Sequence, residues 1–276
     1  MISEGVASDW FIVSAGVPQG CVLSPLLFLV FINDLPQPSD LLTLLFADDG
    51  ALIPPEHGAT SHQSLQHALN FTYLWSLAWG LDFSCTKSVV VVFHNKRNPP
   101  VVPPFLLGSA TLPSVATFQY LGCHFDSNGK PGSQTTHIIS KARHQANFIS
   151  NLCSPNRPPK PAVIKTLVNT LLIPVISYGL AFWRPSQSTF ESLDSVIASP
   201  LRRVLGLPPS VPTSAILDEF GLTNSLNLRK KALLQFRCWN LKHNTAFSVV
   251  ALWQRKSRKS SATGNTMALP PIVFLP

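Results

Sequence analysis

Asp48 and Asp49 are adjacent carboxylates in a setting that suggests chemistry. They lie between two short apolar runs, Leu41–Phe46 and Ala51–Ile53. Apolar runs on both sides of Ala-Asp-Asp-Gly predict a β-hairpin whose turn takes positive φ at Asp and Gly. Because adjacent carboxylates repel one another, such a pair at a turn indicates a bound cation. An ordinary Asp-Gly hairpin turn accounts for the same residues equally well, since both residue types are common in turns.

A second stretch, upstream of the aspartates, combines glycine, proline and polar residues. Residues 16–25 read Gly-Val-Pro-Gln-Gly-Cys-Val-Leu-Ser-Pro, so Gly16 and Gly20 bracket the Pro-Gln step. Glycine lets a backbone come close to another strand, which suits a loop that lies under a nucleic acid. The following segment, Leu23–Leu35, is apolar on every side. We therefore expect a buried helix there, which ends before Pro36.

Together the two stretches resemble the palm of a reverse transcriptase of the non-LTR (LINE-type) retrotransposons. In that family the Gly-Val-Pro-Gln-Gly stretch is motif B, and the Phe-Ala-Asp-Asp hairpin is motif C. The resemblance implies an RNA-directed DNA polymerase that uses two Mg²⁺ ions, or Mn²⁺ instead, with an RNA template, a DNA primer and deoxynucleoside triphosphates. It assigns Asp48 and Asp49 as catalytic metal ligands, with Asp48 as the principal one. It places beside the template and the incoming nucleotide Gly16, Pro18, Gln19, Gly20 and Phe46.

Two later stretches extend the resemblance. Residues 80–88, Gly-Leu-Asp-Phe-Ser-Cys-Thr-Lys-Ser, are similar to motif D, with Ser84 in place of the family's Asn and Lys87 at the position of its Lys. The resemblance implies that Lys87 protonates the leaving pyrophosphate, although a solvated surface lysine is the simpler interpretation. Residues 118–122 resemble motif E, the primer grip, which would contain Tyr120, Leu121 and Gly122. A generic hairpin would explain those five residues as well.

The spacing of apolar residues predicts the elements that hold these motifs. A helix is expected from Leu65 to Trp79 with Gly80 as its cap, followed by a strand over residues 89–93. From His137 onward the pattern is helical, and the resemblance implies a thumb whose helices follow the primer–template backbone. That function would fall to Lys141, Arg143, Arg202 and Arg203. For the last two, a solvated helix end favoured by the helix dipole is an equal alternative.

These elements predict an α+β fold. It comprises a partial palm over residues 1–130, with an antiparallel sheet and helices on one side of it. An all-helical thumb and post-thumb region over residues 131–253 follows. The last part, residues 254–276, holds a basic run and is expected to be a disordered tail.

Composition agrees with a nucleic-acid partner and argues against other classes. The net charge is +8, which favours a polyanion. The five cysteines are scattered and odd in number, so no disulfide partner is expected. The start of the chain lacks the zones of a signal peptide, and no apolar run approaches the ~18 residues of a membrane span. We therefore expect an intracellular protein of the nucleus or cytoplasm that is neither secreted nor membrane-bound.

One part of the family pattern is not matched. The two-metal reaction also needs a carboxylate from motif A, on a separate strand upstream of motif B. Only Glu4 and Asp9 precede motif B, and neither fits that pattern. Two hypotheses follow. The chain is either a reverse transcriptase domain that is inactive as a truncated fragment, or a non-catalytic retroelement remnant that acts at most as a basic nucleic-acid-binding module.

Overall fold

The protein is described by a computed structural model, and the residues it describes are 2–3, 6–7, 16–38, 41–54, 59–94, 101–153, 159–243 and 271–275. The acidic residues Glu4 and Asp9 and the basic run of the last part of the chain lie outside those ranges.

Antiparallel strand pairs and helices make up the described chain, which confirms the α+β prediction. The strands are β1 Ile2–Ser3, β2 Val6–Ala7, β3 Leu42–Phe46, β4 Asp49–Ile53, β5 Val89–Val92, β6 Leu106–Leu107, β7 Ala110–Thr111, β8 Thr117–Tyr120, β9 Cys123–Asp126 and β10 Pro271–Leu275. The α-helices are α1 Ser24–Ile32, α2 Ala59–Trp79, α3 Gly132–Leu152, α4 Pro161–Leu167, α5 Ile173–Ser177, α6 Gln187–Val204, α7 Thr213–Glu219 and α8 Ser225–His243. A π-helical turn, Val168–Leu172, joins α4 to α5.

The chain divides into two compact units. The first contains residues 1–91, 101–114 and 270–276, and the second contains residues 92–100 and 115–269. The predicted boundary at residue 130 therefore falls inside the second unit. The β8–β9 hairpin lies in the second unit with the helices, and the palm boundary at residue 130 stays a prediction.

A four-stranded sheet in the order β3-β4-β10-β5 forms the centre of the first unit. The predicted antiparallel hairpin of residues 41–53 is present as β3 and β4. Helix α2 ends at Trp79, and Gly80 follows with φ of 65°. The amide of Leu81 donates to the carbonyl of Ser76 over 2.9 Å, the bond of a glycine-terminated helix.

The carboxyl-terminal strand corrects one prediction. Residues 271–275 were expected to be disordered, yet they form β10 between β4 and β5. Val273 is fully buried there, and Ile272, Phe274 and Leu275 are nearly so. A short apolar run after a polar stretch offers no periodicity, so only the vacant sheet position explains its conformation.

Helix α1 also differs from its prediction. The sequence predicts a helix buried all round, but the exposed fractions of Leu26, Leu29 and Val30 are 57%, 57% and 69%. Its apolar side chains pack closely at the carboxyl-terminal end, where Ile32 and the following Leu35 join Trp75 of α2 in a small cluster. A helix that is apolar on every side can be buried without cost. It is buried only where other elements pack against it.

The second unit has its own apolar core. Helices α3, α4, α5, α6 and α7 all contribute to it, with completely buried side chains such as Ile149, Ile164, Leu193 and Ile197. The predicted helical region is therefore present. The core holds α3 against α6, the two helices that carry the predicted nucleic-acid-binding cations.

Candidate active site and nucleic-acid surface

The acidic hairpin is closed by a two-residue turn. Phe46 pairs with Asp49 at the end of β3 and β4, so the turn consists of Ala47 and Asp48. The expected positive φ at Asp and Gly is therefore wrong, because Asp49 and Gly50 already lie in β4. Positive φ occurs at Ala47, with a value of 51°, where the first residue of a tight hairpin turn needs it. Alanine is strained in that region, and strained backbone of this kind is common at functional sites.

The two carboxylates have different environments. Asp48 is exposed at the tip of the turn, whereas Asp49 is half-buried at the first position of β4. Burial raises the pKa of the Asp49 carboxyl above its ordinary value, and the nearby charge of Asp48 raises that pKa further. Asp49 is therefore harder to ionise than a free aspartate. A divalent cation bound between the two carboxylates would relieve both effects.

The carboxylates present fit part of a metal site. Within the described residues, no group of three or more His, Cys, Asp or Glu side chains is placed to hold a metal ion. Aspartate carboxylates are oxygen ligands of the kind that divalent cations prefer, but Asp48 and Asp49 alone do not supply the ligands of a two-ion site. The described carboxylates at this turn therefore provide only part of such a site.

The loop of the predicted motif B is open to solvent and is held at the start of α1. Gly16 and Gly20 have φ of 96° and 86°, and a Cβ atom at either would meet no atom within 4 Å. Both glycines are thus required by backbone conformation rather than by packing. The Ser24 hydroxyl donates to the Pro18 carbonyl over 2.5 Å, which fastens the loop to the helix. Pro18 and Gln19 are exposed, as a template-contacting loop requires.

Phe46 and Lys87 are exposed side chains of the same unit. Phe46 ends β3 and has an exposed fraction of 62%. Lys87 lies in a turn before β5 that the Ser84 carbonyl organises. This carbonyl accepts a hydrogen bond from the Lys87 amide over 3.0 Å. It also accepts bonds from the Ser88 amide over 2.9 Å and from the Ser88 hydroxyl over 2.8 Å. The substitution of Ser for the family's Asn at this position therefore leaves a well-formed turn.

The predicted primer-grip residues lie at the tip of the β8–β9 hairpin in the second unit. Tyr120 pairs with Cys123, so Leu121 and Gly122 form a two-residue turn, with φ of 47° and 74°. The Tyr178 hydroxyl donates to the Leu121 carbonyl over 2.6 Å. A Cβ atom at Gly122 would lie 3.2 Å from the Tyr178 ring. Sequence reasoning missed Tyr178, because nothing local connects it to a turn far away in the chain.

The same hairpin is fastened to the start of α3. The Gln134 side-chain carbonyl accepts a hydrogen bond from the His124 amide over 2.7 Å. The Asp126 carboxylate accepts bonds from both the amide and the hydroxyl of Ser133. His124 also lies against His137, with ring centroids 4.2 Å apart. The turn thus has support on two sides, from α3 and from Tyr178.

The predicted cations of the second unit differ in availability. Lys141 and Arg143 are exposed on α3. Arg203 is exposed as well, and its guanidinium donates to the side chain of Asn147, one helical turn beyond Arg143. Arg202 instead donates to the carbonyls of Pro208 and Val211 over 2.9 and 3.0 Å. Arg202 is therefore engaged in closing the end of α6, and its contact with a nucleic-acid backbone stays a prediction.

Two further features concern the described chain as a whole. None of the described helices combines the length and apolar character needed to cross a bilayer. All five cysteines, Cys21, Cys85, Cys123, Cys153 and Cys238, are free thiols.

Comparison with known proteins agrees with the motifs. Residues 2–125 match the family model described as reverse transcriptase (RNA-dependent DNA polymerase). The chain is 26% identical over 215 residues to the RNA-directed DNA polymerase from mobile element jockey of Drosophila melanogaster, a match that covers 74% of this chain and 23% of that protein. It is 30% identical over 225 residues to the probable RNA-directed DNA polymerase from transposon BS of the same fly, covering 76% of this chain and 24% of that protein.

A third relative is the probable RNA-directed DNA polymerase from transposon X-element of Drosophila melanogaster. It is 28% identical over 179 residues, which cover 62% of this chain and 19% of that protein. The chain thus spans less than a quarter of the length of these curated relatives. No solved structure matches it significantly.

Proposed function

Because this chain carries a reverse transcriptase region of the non-LTR retrotransposon type, we propose that it binds a nucleic-acid template and primer without polymerising on its own. The observation that carries the proposal is the β3–β4 hairpin, which presents two carboxylates at a strained turn. The described residues bring no further acidic side chain to that corner. The proposed setting is inside the cell, where RNA templates occur.

Nucleic-acid binding is supported by exposed loops and cations. Gly16, Pro18, Gln19 and Gly20 offer an open backbone loop in the first unit, and Phe46 offers an exposed ring to a base. In the second unit, Lys141, Arg143 and Arg203 offer positive charge on neighbouring helices. These three cations suit contacts to the phosphate backbone, and such contacts carry no sequence information. The turn at Tyr120, Leu121 and Gly122 is proposed to contact the primer.

A binding titration tests this part of the proposal. The purified chain should bind an RNA–DNA duplex weakly, and the affinity should fall steeply with salt, because binding releases counterions from the phosphates. Replacing Lys141 and Arg143 together by Ala should lower the affinity severalfold and flatten the salt dependence. Lys160→Ala removes an exposed charge away from α3 and should act less. Affinity that is unaffected by salt would contradict the proposal.

Primer extension tests the catalytic part. A polymerase of this kind requires two placed metal ions to activate the primer hydroxyl and to neutralise the pyrophosphate. Two carboxylates bind Mg²⁺ poorly, because the ion prefers near-octahedral oxygen ligation and keeps its waters. We expect no extension of a DNA primer on an RNA template with Mg²⁺ or Mn²⁺ and deoxynucleoside triphosphates, and no change in Asp48→Asn.

Extension that Asp48→Asn abolishes would overturn that expectation. It would mean that another carboxylate of the chain completes the metal site, and Asp9 is the first candidate for replacement by Asn. In that case Lys87→Ala should also slow the reaction, because the family resemblance assigns the protonation of the leaving pyrophosphate to this position. If the unaltered chain neither binds the RNA–DNA duplex nor extends the primer, the result would instead favour a remnant without either function.

A further inference from the structure

The carboxyl-terminal strand occupies an unusual position. It comes last in sequence among the described elements, yet it lies between β4 and β5 rather than at the edge of the sheet. Residues 244–270 separate it in the chain from α8, and α8 belongs to the other compact unit. Strand β10 therefore joins the first unit as a segment that arrives from elsewhere, in the manner of a peptide that adds a strand to a sheet.

The fit of this strand is specific. Val273 pairs with Leu52, Phe274 with Ala51 and Leu275 with Gly50, all antiparallel. A Cβ atom at Gly50 would lie 3.3 Å from the Leu275 carbonyl, so the glycine allows the close approach. Proline residues at positions 270, 271 and 276 confine the strand to five residues, because proline lacks the amide needed to continue pairing.

The two strands that flank β10 are each paired with residues other than those of β10. Strand β4 is paired along its whole length with β3. Strand β5 is held by residues 113 and 114. The Val90 amide donates to the Pro113 carbonyl over 2.9 Å, and Val90 forms a bridge with Ser114. Removing β10 would thus leave two secured strands about 10 Å apart, which is the width of one missing strand.

We propose that the position between β4 and β5 is a docking site for an extended apolar peptide, and that residues 271–275 fill it as a removable intramolecular ligand. The site selects an uncharged five-residue strand that runs antiparallel to β4. Since Leu275 lies opposite Gly50, the ligand ends beside Asp49. Its departure would open the edge of β4 next to the acidic turn. The proposal does not depend on polymerase activity.

The experiment separates the ligand from the site in the chain of 276 residues. Val273→Asp places a charge at a position with no exposure and should expel the strand. A fluorescent synthetic peptide of residues 269–276 is then titrated in trans. We expect saturable binding to the Val273→Asp chain at least tenfold tighter than to the unaltered chain, whose site is filled. A peptide with the same Val273→Asp change should not bind.

Val101→Asp is the matched control, because it adds the same charge at a fully exposed position, and this chain should behave like the unaltered one. Equal peptide affinity for the unaltered and Val273→Asp chains would overturn the proposal. So would a folded Val273→Asp chain that does not bind, or an unfolded one that the peptide does not restore.

Hydrogen exchange in the unaltered chain gives an independent answer. A removable strand should open locally, so amides of residues 271–275 should exchange faster than those of β3 and α2, which remain protected. If residues 271–275 exchange only when β3 and α2 also exchange, the strand is an integral part of the sheet, and the proposal is wrong.

Discussion

The β3–β4 and β8–β9 hairpins are closed by two-residue turns of different construction. In the first, Ala47 and Asp48 are both exposed, and the strained residue is an alanine. In the second, Leu121 and Gly122 both have positive φ, and Tyr178 holds the turn by a hydrogen bond and by its ring. The comparison suggests that the acidic turn is open for a ligand, whereas the protein itself fixes the proposed primer-grip turn.

Gly122→Ala should have the largest effect on this comparison. An L-residue in the left-handed region costs about 1–2 kcal/mol, and the new methyl group would also press on the Tyr178 ring at 3.2 Å. The β8–β9 amides should lose protection in hydrogen exchange. Gly16→Ala is the control, because it is also at positive φ but has open space around it. The exchange of the amides of its own loop in the first unit therefore reports conformational strain alone. Equal losses in the two variants would mean that Tyr178 does not constrain the turn.

Tyr178→Phe should have a smaller effect. It removes the hydroxyl that donates to Leu121, and a hydrogen bond of this kind contributes about 0.5–1.5 kcal/mol. The low end is expected, since Tyr178 has an exposed fraction of 54% and water can replace the lost donor. The readout is again the exchange of the β8–β9 amides, together with the affinity for RNA–DNA duplex. Tyr73→Phe, a hydroxyl removal in the other unit, should change neither quantity.

The sequence predicts the existence of both turns better than their details. Apolar runs on each side of Asp48 correctly indicate a hairpin, but the position of its turn depends on Phe46 pairing with Asp49, a choice of register. The support of Leu121 by Tyr178 joins residues 57 positions apart, so no local pattern reveals it.

Long-range packing also explains the two larger misses. The exposed face of α1 depends on which elements cover it, and its apolar sequence gives no information about them. Strand β10 forms because a place between β4 and β5 accepts it, and its five residues contain no periodic signal of their own. Sequence patterns therefore identify elements with local causes, while partners and coverage require the structure.

Asp48→Asn should have the smallest effect and tests whether the acidic turn behaves as a ligand site. The pKa of Asp49 is raised first by burial and second by the charge of Asp48. Removing that charge should lower the pKa of Asp49 but leave it above the ordinary value, because the burial remains. A carboxyl-resolved NMR titration of the folded chain measures this shift directly. Asp82→Asn, which removes an exposed carboxylate elsewhere in the first unit, should leave the Asp49 titration unchanged.

The sign of the linked stability change follows from the same shift. A carboxyl whose pKa is raised on folding binds more protons in the folded state, so its contribution to stability is greatest below the ordinary pKa of 3.8 and declines as pH rises through the folded value. Asp48→Asn should therefore make unfolding less sensitive to pH in that interval. If the pKa of Asp49 is the same in Asp48→Asn, the charge of Asp48 does not act on Asp49. The turn would then be an ordinary hairpin end rather than a cation site.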